Sequence, residues 1–263
     1  MIKGQFYRRD MFPMIFCPGC GIFTVLECLK EALSQASIDM EKVAFVSGIG
    51  CSSRAPGYIM ADSLHTTHGR ALAFATGLKL ASPDLKVIVM SGDGDLAAIG
   101  GNHFIHSCRR NIDLLTICVN NFVYGMTGGQ LSPTTPVGCV TATSPYGNEE
   151  HPFDLSALAC AGGANFVARW TVRQRKELTD SMVRGVKKKG FSFVEVLSPC
   201  PTQLGRRNDM VEVKKNLDWL DSLTFSKDGF EFKDREIELL ASGRIPTGVF
   251  CERDKAPYGE MSK

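Results

Sequence analysis

Short runs of apolar, often β-branched residues alternate with amphipathic stretches along most of this chain. Strands of a parallel sheet are buried on both faces and read as apolar runs, while the connecting helices cover those faces. The alternation therefore predicts a doubly wound α/β fold with a mostly parallel sheet. We expect helices over residues 23–36, 69–80, 96–110, 154–160, 172–188 and 209–220, and strands over 43–47, 86–90, 114–120, 166–168 and 191–196.

The length and composition of the chain fit one domain of this kind. With 263 residues, of which 44% are hydrophobic and 22% are charged, the chain can bury a sizeable core and is not disordered. We expect a single domain over residues 1–263, with an N-terminal segment over 1–21 and a C-terminal extension over 201–263.

Charge and hydropathy exclude several classes of protein. Thirty basic and 28 acidic residues leave a net charge of +2, which argues against non-specific binding to nucleic acid. No apolar run approaches the ~20 residues of a membrane helix. Pro13 interrupts the apolar patch near the N-terminus, so no signal peptide is expected. The expected location is the cytoplasm, where the ten cysteines would be core residues or metal ligands rather than disulfides.

Three segments that follow predicted strands are rich in glycine and polar residues, namely 48–54, 92–95 and 120–130. In open α/β sheets, ligands bind beyond the carboxyl ends of the strands, so these segments should line one crevice. The third segment continues into a stretch rich in Gly, Pro and Thr, and we expect a long functional loop over 125–148.

The segment SGDGD over 91–95 predicts a site for a metal ion and a bulky anion. Gly92 and Gly94 let the backbone approach the anion, and the following helix offers free N–H groups at its N-terminus. Asp93 can supply a carboxylate oxygen and Asn121 an amide oxygen, which suits octahedral Mg²⁺. An ordinary Asp-Gly turn would explain Gly-Asp-Gly alone, but the later Asn-Asn pair favours the metal site. The segment is neither a P-loop nor a G-x-G-x-x-G dinucleotide motif.

Gly-Asp-Gly followed by Asn-Asn resembles the cofactor motif of thiamine-diphosphate enzymes. Three further segments resemble β subunits of 2-oxoacid:ferredoxin oxidoreductases: ADSLHTTHGRALAFATG over 61–77, GNHFIHSCRRN over 101–111 and YGMTGGQLSPTTP over 124–136. The likeness extends from about residue 17 to residue 200, and the tail over 246–250 also matches the family.

This resemblance implies which residues hold thiamine diphosphate and its Mg²⁺. The predicted Mg²⁺ ligands are Asp93, the side chain of Asn121 and the carbonyl of Val123. The predicted cofactor contacts are Ser52, His68, Gly92, Asp93, Gly94, Asp95, Asn121, Gly125, Met126 and Thr127. Among these, Gly94, Asp95 and Thr127 would contact the diphosphate itself.

Four of the ten cysteines lie in three predicted loops: Cys17 and Cys20 share one, and Cys51 and Cys200 each lie in another. A zinc ribbon would need a second close C-x₂-C pair, which this chain lacks. Four thiolates from separate loops can instead bind one 4Fe-4S cluster. The cluster ligands of the family have this order and approximate spacing, so these four cysteines are assigned to one cluster, with Cys139 as the second choice for the fourth ligand.

The remaining cysteines are expected to have structural roles. Cys28, Cys108, Cys118 and Cys160 read as small core residues. Cys139 and Cys251 have no partner at a useful spacing.

The resemblance implies a β subunit that needs a partner, because only the metal-diphosphate half of a thiamine site is readable. An α subunit would supply the pyrimidine-binding half in an αβ or (αβ)₂ assembly. The reaction would convert a 2-oxoacid, coenzyme A and oxidised ferredoxin into acyl-CoA, CO₂ and reduced ferredoxin. Two alternatives stay open: a non-redox thiamine decarboxylase subunit, and a non-catalytic subunit stabilised by iron–sulfur or zinc.

Two residues point to the substrate. Relatives specific for pyruvate carry Asn before the Thr-Gly-Gly-Gln segment, where this chain has Met126. The guanidinium of Arg54 could bind a second carboxylate in a bidentate manner, although it could equally pair with a surface acid or with the α subunit. Together they favour 2-oxoglutarate, with pyruvate and branched-chain 2-oxoacids as alternatives.

Overall fold

The computed structural model describes residues 5–227 and 243–260. The helices are α1 (Ile22–Gln35), α2 (Ala71–Ala81), α3 (Gly101–Arg110), α4 (Leu155–Gly162), α5 (Arg175–Lys187) and α6 (Val213–Leu223). The strands are β1 (Val43–Ser47), β2 (Asp62–His65), β3 (Lys86–Gly92), β4 (Leu115–Asn120), β5 (Val123–Tyr124), β6 (Gln130–Leu131), β7 (Phe166–Thr171), β8 (Ser192–Leu197), β9 (Thr224–Ser226) and β10 (Ile245–Glu252). None of these helices combines the length and the hydrophobicity needed to span a bilayer.

An eight-stranded sheet with the order β2-β1-β3-β4-β8-β7-β10-β9 organises the fold. The strands from β2 to β7 in this order pair in parallel, whereas β10 pairs antiparallel with β7. The predicted α/β fold with a mostly parallel sheet is therefore confirmed. Because β1, β3, β4 and β8 are parallel neighbours, the chain leaves all four at the same edge of the sheet.

Helices cover both faces of this sheet. Alternate strand residues point to opposite faces, so in β3 Ile88 and Met90 enter one core while Val87 and Val89 enter the other. Helices α1 and α5 complete the first core, and α2, α3 and α4 complete the second. Strands β1, β4 and β8 are buried along their whole length, which explains why they read as continuous apolar runs in the sequence.

The chain after residue 200 differs most from expectation. Strand β10 lies beside β7 in the main sheet instead of forming part of a separate extension. Pro246 and Gly248 weaken its strand signal in the sequence, and its pairing partner lies far earlier in the chain. Residues 1–4, 228–242 and 261–263 of the two predicted terminal segments lie outside the described residues.

Smaller differences concern boundaries. The helix predicted over 96–110 starts as a π-helical turn, Gly94–Ile99, and continues as α3. The helix predicted over 172–188 begins only at Arg175, because β7 continues to Thr171 and its N–H bonds to Gln174 Oε1 at 3.0 Å. Strands β2, β5 and β6 are not predicted from the sequence, since such short segments show little periodicity.

A buried ion network joins β7, β8 and α4. Arg169 is 2% exposed, and its Nε donates to Glu195 Oε2 at 2.8 Å while a terminal nitrogen donates to Asp154. Ser156 Oγ also donates to Glu195 Oε2 at 2.8 Å. Burial lowers the pKa of the Arg169 guanidinium, but the two carboxylates outweigh this effect and raise the pKa. The network therefore holds a permanent charge inside the fold.

Replacing Arg169 with Met would leave two buried carboxylates without a cation. Removing one partner of a buried pair typically costs about 3–5 kcal/mol, and we expect Arg169→Met to lower the free energy of unfolding by that amount. Arg173→Met is the matched control, because the Arg173–Asp221 pair is half exposed and such pairs contribute less than about 1 kcal/mol. Urea denaturation measures both variants, and equal losses would contradict this account.

Candidate functional site

The loops after β1, β3 and β4 surround one cleft at the carboxyl edge of the sheet. The convergence of these three loops is thus as the sequence predicts. All the predicted cofactor contacts line the cleft, namely Ser52, His68, Gly92, Asp93, Gly94, Asp95, Asn121, Gly125, Met126 and Thr127. Val123 and Cys51 line it as well. The role of each residue stays a prediction.

Asp93 directly follows β3 and is 1% exposed. Its Oδ2 accepts hydrogen bonds from the hydroxyls of Ser132 and Thr134, the latter at 2.6 Å. Its Oδ1 lies 3.5 Å from the backbone nitrogen of Asn121. Burial raises the pKa of Asp93, and the two hydroxyls reduce this effect. The carboxylate is therefore held in one orientation, with Oδ1 facing the residues that follow β4.

Asp93 Oδ1 and two further potential metal ligands, from Asn121 and Val123, converge at one point. One end of the Asn121 amide lies 3.3 Å from Asp93 Oδ1 and 2.7 Å from the carbonyl oxygen of Val123. An amide nitrogen at that end would donate to both oxygens, whereas an amide oxygen would form a set of three oxygens that requires a cation. Neighbouring ligands of octahedral Mg²⁺ lie about 2.9 Å apart, given bonds of about 2.1 Å. The donor set and its spacing therefore fit Mg²⁺.

Asp95 joins three segments of the cleft wall. Its Oδ1 accepts hydrogen bonds from the backbone N–H groups of Ile49 at 3.1 Å and Gly69 at 2.7 Å, and lies 2.6 Å from His68 Nδ1. Its Oδ2 accepts from Ser91 Oγ at 2.6 Å. Because the carboxylate is engaged inside the protein, Asp95 can offer a diphosphate only its backbone. Its side chain holds the loops after β1 and before α2 against β3.

Sequence reasoning missed the roles of Ser132, Thr134 and Tyr124. The two hydroxyl residues orient Asp93 from about 40 residues further along the chain. Tyr124 Oη donates to the carbonyl of Gly94 at 3.2 Å, and a Cβ on Gly94 would lie 2.4 Å from the Tyr124 ring. Only glycine therefore fits at position 94. All three residues belong to the family segment over 124–136, which was the available signal.

The loops that carry the four predicted cluster cysteines are tied together. Cys51 follows β1, Cys200 follows β8, and Cys17 and Cys20 precede α1. The hydroxyl of Ser198 donates to the carbonyl of Cys20 at 2.6 Å, which joins the C-x₂-C loop to the Cys200 loop. Cys17 is the exposed member, whereas Cys200 is buried.

The thiols of these cysteines influence one another. Burial raises the pKa of the Cys51 thiol to about 11, and repulsion from Cys200, Cys20 and Cys17 adds to the shift. Burial also raises the pKa of Cys20 and Cys200, with Cys17 contributing to both. A cationic centre would therefore be needed to hold Cys20, Cys51 and Cys200 as thiolates at neutral pH.

No three Cys, His, Asp or Glu side chains of the described residues meet at a single metal position. A 4Fe-4S cluster with four cysteine ligands does not require this, because each thiolate binds a different iron atom. The Mg²⁺ set considered above contains one carboxylate, one amide and one backbone carbonyl, so it does not require this either.

Gly125 lies between the oxygen ligands and the thiols. A Cβ on Gly125 would lie 3.5 Å from Asn121 Nδ2, 3.6 Å from Cys200 Sγ and 3.7 Å from Cys51 Sγ. The predicted metal-diphosphate site and the predicted cluster site therefore share one wall of the cleft.

The two predicted substrate residues differ in position. Met126 lines the cleft and is 46% exposed. Arg54 is exposed on the short 3₁₀ helix after Cys51, and it is not among the described residues that line the cleft. The structure therefore does not bring Arg54 together with the other site residues, and its contact with a substrate stays a prediction.

The remaining cysteines include one pair. Cys28, Cys108 and Cys118 are buried. The Sγ atoms of Cys160 and Cys251 lie only 2.8 Å apart, and both residues are partly exposed. The expectation that Cys251 has no partner is wrong, because β10 joins the sheet beside α4.

The fold and the cleft define a thiamine-diphosphate-binding domain. The family model described as "Thiamine pyrophosphate enzyme, C-terminal TPP binding domain" matches residues 48–196. This range runs from the loop after β1 almost to the end of β8, and it includes the oxygen ligands beside Asp93.

Comparison with individual proteins identifies the family more specifically. The chain is 51% identical to 2-oxoglutarate synthase subunit KorB of Methanocaldococcus jannaschii, over 97% of this chain and 94% of that protein. It is 58% identical to the subunit of the same name from Methanothermobacter marburgensis, over 98% and 88%. A structure of 2-oxoglutarate:ferredoxin oxidoreductase from Magnetococcus marinus, with 2-oxoglutarate, coenzyme A and succinyl-CoA bound, matches with a TM-score of 0.85 and 32% identity, over 98% of this chain and 88% of that chain. The chain belongs to the family of 2-oxoglutarate synthase β subunits.

Proposed function

We propose that this chain is the β subunit of an enzyme that converts 2-oxoglutarate, coenzyme A and oxidised ferredoxin into succinyl-CoA, CO₂ and reduced ferredoxin. The observation that carries the proposal is the common wall at Gly125, where Asn121 and two of the thiols lie within 3.7 Å of one position. A decarboxylase that transfers no electrons would need the oxygen ligands but not the thiols. The similarity to 2-oxoglutarate synthase subunits supports the choice of substrate.

Thiamine diphosphate and Mg²⁺ are the cofactors that we assign to the cleft. Asp93 Oδ1, the Asn121 amide oxygen and the Val123 carbonyl would hold Mg²⁺, as their spacing allows. Gly92 and Gly94 would let the diphosphate approach the backbone. When bound, thiamine diphosphate supplies a nucleophilic carbon that takes up the electron pair left by CO₂, and an iron–sulfur cluster carries electrons singly.

The residues of this chain bind and orient these groups. His68 is fixed through its Nδ1 by Asp95, and its ring packs edge-on against Tyr124 with centroids 6.0 Å apart. The loop over 125–129, which follows β5, contains the predicted diphosphate contact Thr127. Arg207 stabilises this loop, because its Nη2 donates to the carbonyl of Gly128 at 3.0 Å. The Thr127 hydroxyl lies within this loop and donates to Gln130 Oε1 at 2.6 Å. The chain thereby presents a preformed anion site.

One 4Fe-4S cluster is assigned to Cys17, Cys20, Cys51 and Cys200. The mutual influence of their thiols and the Ser198 bond between their loops support this assignment. Cys17 is the exposed ligand, so the surface around it is where ferredoxin would collect electrons.

An α subunit would complete the enzyme. The described residues that line the cleft include no glutamate, the residue type that commonly activates the aminopyrimidine of this cofactor. We therefore propose an αβ or (αβ)₂ assembly in the cytoplasm, in which the α subunit supplies that half of the site.

The two centres can be tested with a reciprocal pair of variants in the anaerobically purified complex. Asp93→Ala removes a Mg²⁺ ligand and should weaken retention of thiamine diphosphate and Mg²⁺ at least ~10-fold, with the iron content unchanged. Cys200→Ser should remove most of the iron and the brown colour while thiamine diphosphate is retained.

Metal analysis, cofactor assay and a visible spectrum measure these outcomes. Unchanged iron in Cys200→Ser would contradict the fourth cluster ligand, and retained cofactor in Asp93→Ala would contradict the Mg²⁺ site. A wild-type complex without iron would favour the non-redox decarboxylase, and one with iron or zinc but without thiamine diphosphate would favour the non-catalytic subunit.

We further propose that Arg54 binds the distal carboxylate of 2-oxoglutarate in the assembled enzyme. Arg54→Met should lower kcat/KM for 2-oxoglutarate by ~10²-fold, the scale of one lost charged hydrogen bond, and affect pyruvate or a branched-chain 2-oxoacid less. Arg110→Met is the control, because Arg110 is exposed at the far end of α3. Preference of the wild type for pyruvate, or equal slowing with every 2-oxoacid, would refute this assignment.

A further inference from the structure

We propose that Cys160 and Cys251 form a redox-active pair that small disulfides oxidise to an intrachain disulfide. Cys160 lies on α4 and Cys251 on β10, and their Sγ atoms are 2.8 Å apart. A disulfide bond is about 2.05 Å long, so small side-chain rotations suffice to form it. Both residues are partly exposed, and neither belongs to the cleft or to the four proposed cluster ligands.

The surroundings of the pair decide which thiol reacts first. The hydrogen bond from Cys160 lowers the pKa of Cys251, and the cationic Arg253 and Lys255 add to this effect. The same hydrogen bond raises the pKa of Cys160. Cys251 is therefore the nucleophile, and Cys160 is the resolving thiol.

The exchange is balanced in atoms and electrons. The Cys251 thiolate attacks one sulfur of a disulfide RSSR and releases RS⁻, which leaves a mixed disulfide on Cys251. Cys160 then gives its proton to RS⁻ and attacks the Cys251 sulfur, which releases the second RS⁻. This second RS⁻ takes up from the solvent the proton that Cys251 lost when it became a thiolate. Two protein thiols are oxidised by two electrons, and RSSR is reduced to two thiols.

The crosslink would hold the last strand of the sheet in place. It would close a loop of 91 residues between α4 and β10. β10 covers the edge of β7, and its Pro246 carbonyl accepts a hydrogen bond from Arg169 at 3.2 Å. The disulfide would therefore stabilise the buried ion network against local opening of this strand.

The test incubates the complex anaerobically with excess 2-hydroxyethyl disulfide, followed by mass spectrometry of a non-reduced digest. We expect a Cys160–Cys251 peptide pair that is two hydrogens lighter, and a midpoint of thermal unfolding raised by ~5 °C that dithiothreitol reverses. Cys160→Ser should stop at the mixed disulfide on Cys251, and Cys139→Ser should crosslink normally. Two thiols that stay free for alkylation, or a mixed disulfide that persists in the wild type, would overturn the proposal.

A separate observation concerns the metal site, and it rests on the proposed function: we infer that Asn120 and Glu195 are positioning residues for Mg²⁺. Asn120 ends β4, and its Nδ2 donates to Glu195 Oε1 at 2.8 Å. Its Oδ1 lies 3.0 Å from Thr134 Oγ1, which in turn lies 2.6 Å from Asp93 Oδ2. Thr134 has one hydroxyl proton and gives it to Asp93, so Asn120 contacts the Asp93 site at Thr134, and its own hydrogen bonds are made with Glu195 and the turn after β4.

Glu195 sets the orientation of the Asn120 amide. Because the carboxylate takes the NH₂ group, Oδ1 is left to accept the backbone N–H of Phe122 at 3.1 Å. That bond shapes the turn in which Asn121 and Val123 present their oxygens. Reversing the amide would place a donor against a donor.

Exchanging the carboxylate of Glu195 and the amide of Asn120 tests this inference. Glu195→Gln can place an NH₂ group against the Asn120 amide, and Asn120→Asp places two carboxylates together, so each variant should raise the Kd for thiamine diphosphate at fixed Mg²⁺ by ~10-fold or more. The double variant restores the bond in the opposite direction and should recover most of the affinity. Ser156→Ala, which removes the hydroxyl bond to Glu195 Oε2 and leaves the Asn120 bond to Oε1, should leave this Kd unchanged.

Calorimetric titration and thermal unfolding separate the outcomes. Single variants that unfold at a lower temperature but keep the wild-type Kd would show that the Glu195–Asn120 hydrogen bond is only structural, and this result would overturn the inference. Failure of the proposed function is distinguishable, because the wild type and Asp93→Ala would then bind the cofactor equally or not at all.

Discussion

The parallel pairing of β1, β3, β4 and β8 is the constraint on which the rest of the structure depends. Parallel neighbours all end at one edge, so residues that follow different strands meet there without any local contact in the sequence. Asp93 directly follows β3, Asn121 directly follows β4, and Cys51 and Cys200 follow β1 and β8 within a few residues. The order of strands in the sheet therefore brings two thiols, a carboxylate and an amide to the same edge of the sheet.

Buried carboxylates then give these loops a defined shape. A buried charge is tolerated only when hydrogen bonds or a counter-charge replace water. Asp95 takes its bonds from three separate segments, and Asp93 takes them from the loop after β6. These hydrogen bonds join the loops of the cleft to one another, whereas the layers beneath them are held by apolar packing.

The same arrangement bears on the two proposed centres, because the residues assigned to them lie close together. Asn121, Cys51 and Cys200 surround the position that a Cβ on Gly125 would occupy, at 3.5–3.7 Å. A methyl group there would make ordinary van der Waals contact with all three residues. For the proposed reaction, a short separation between the site of decarboxylation and the cluster is what single-electron transfer needs. The remaining requirement, activation of the cofactor ring, is the part that a second subunit would meet.

Local sequence patterns predict most of the helices and strands and part of the set of candidate residues. The apolar runs predict five of the strands and their helices because a strand buried on both faces needs such a run whatever its neighbours are. Gly-Asp-Gly, Asn-Asn and C-x₂-C are readable because their chemistry depends on adjacent residues. For this reason Gly92, Asp93, Gly94 and Asn121 could be named from their own chemistry, whereas the other predicted cofactor contacts came from the family resemblance.

Tertiary structure alone decided the contacts between segments that are distant in the sequence. Three such contacts join residues about 40 to 90 positions apart: the hydrogen bonds from Ser132 and Thr134 to Asp93, the pairing of β10 with β7, and the contact between Cys160 and Cys251. The placement of Arg54 outside the cleft also follows from how its short helix packs. By itself, the sequence determined the strands, the helices and the residue types at each strand end, because these depend on local periodicity and composition. Which of those ends became neighbours, and which buried groups satisfy one another, depends on the order of strands in the sheet, and no local pattern encodes that order.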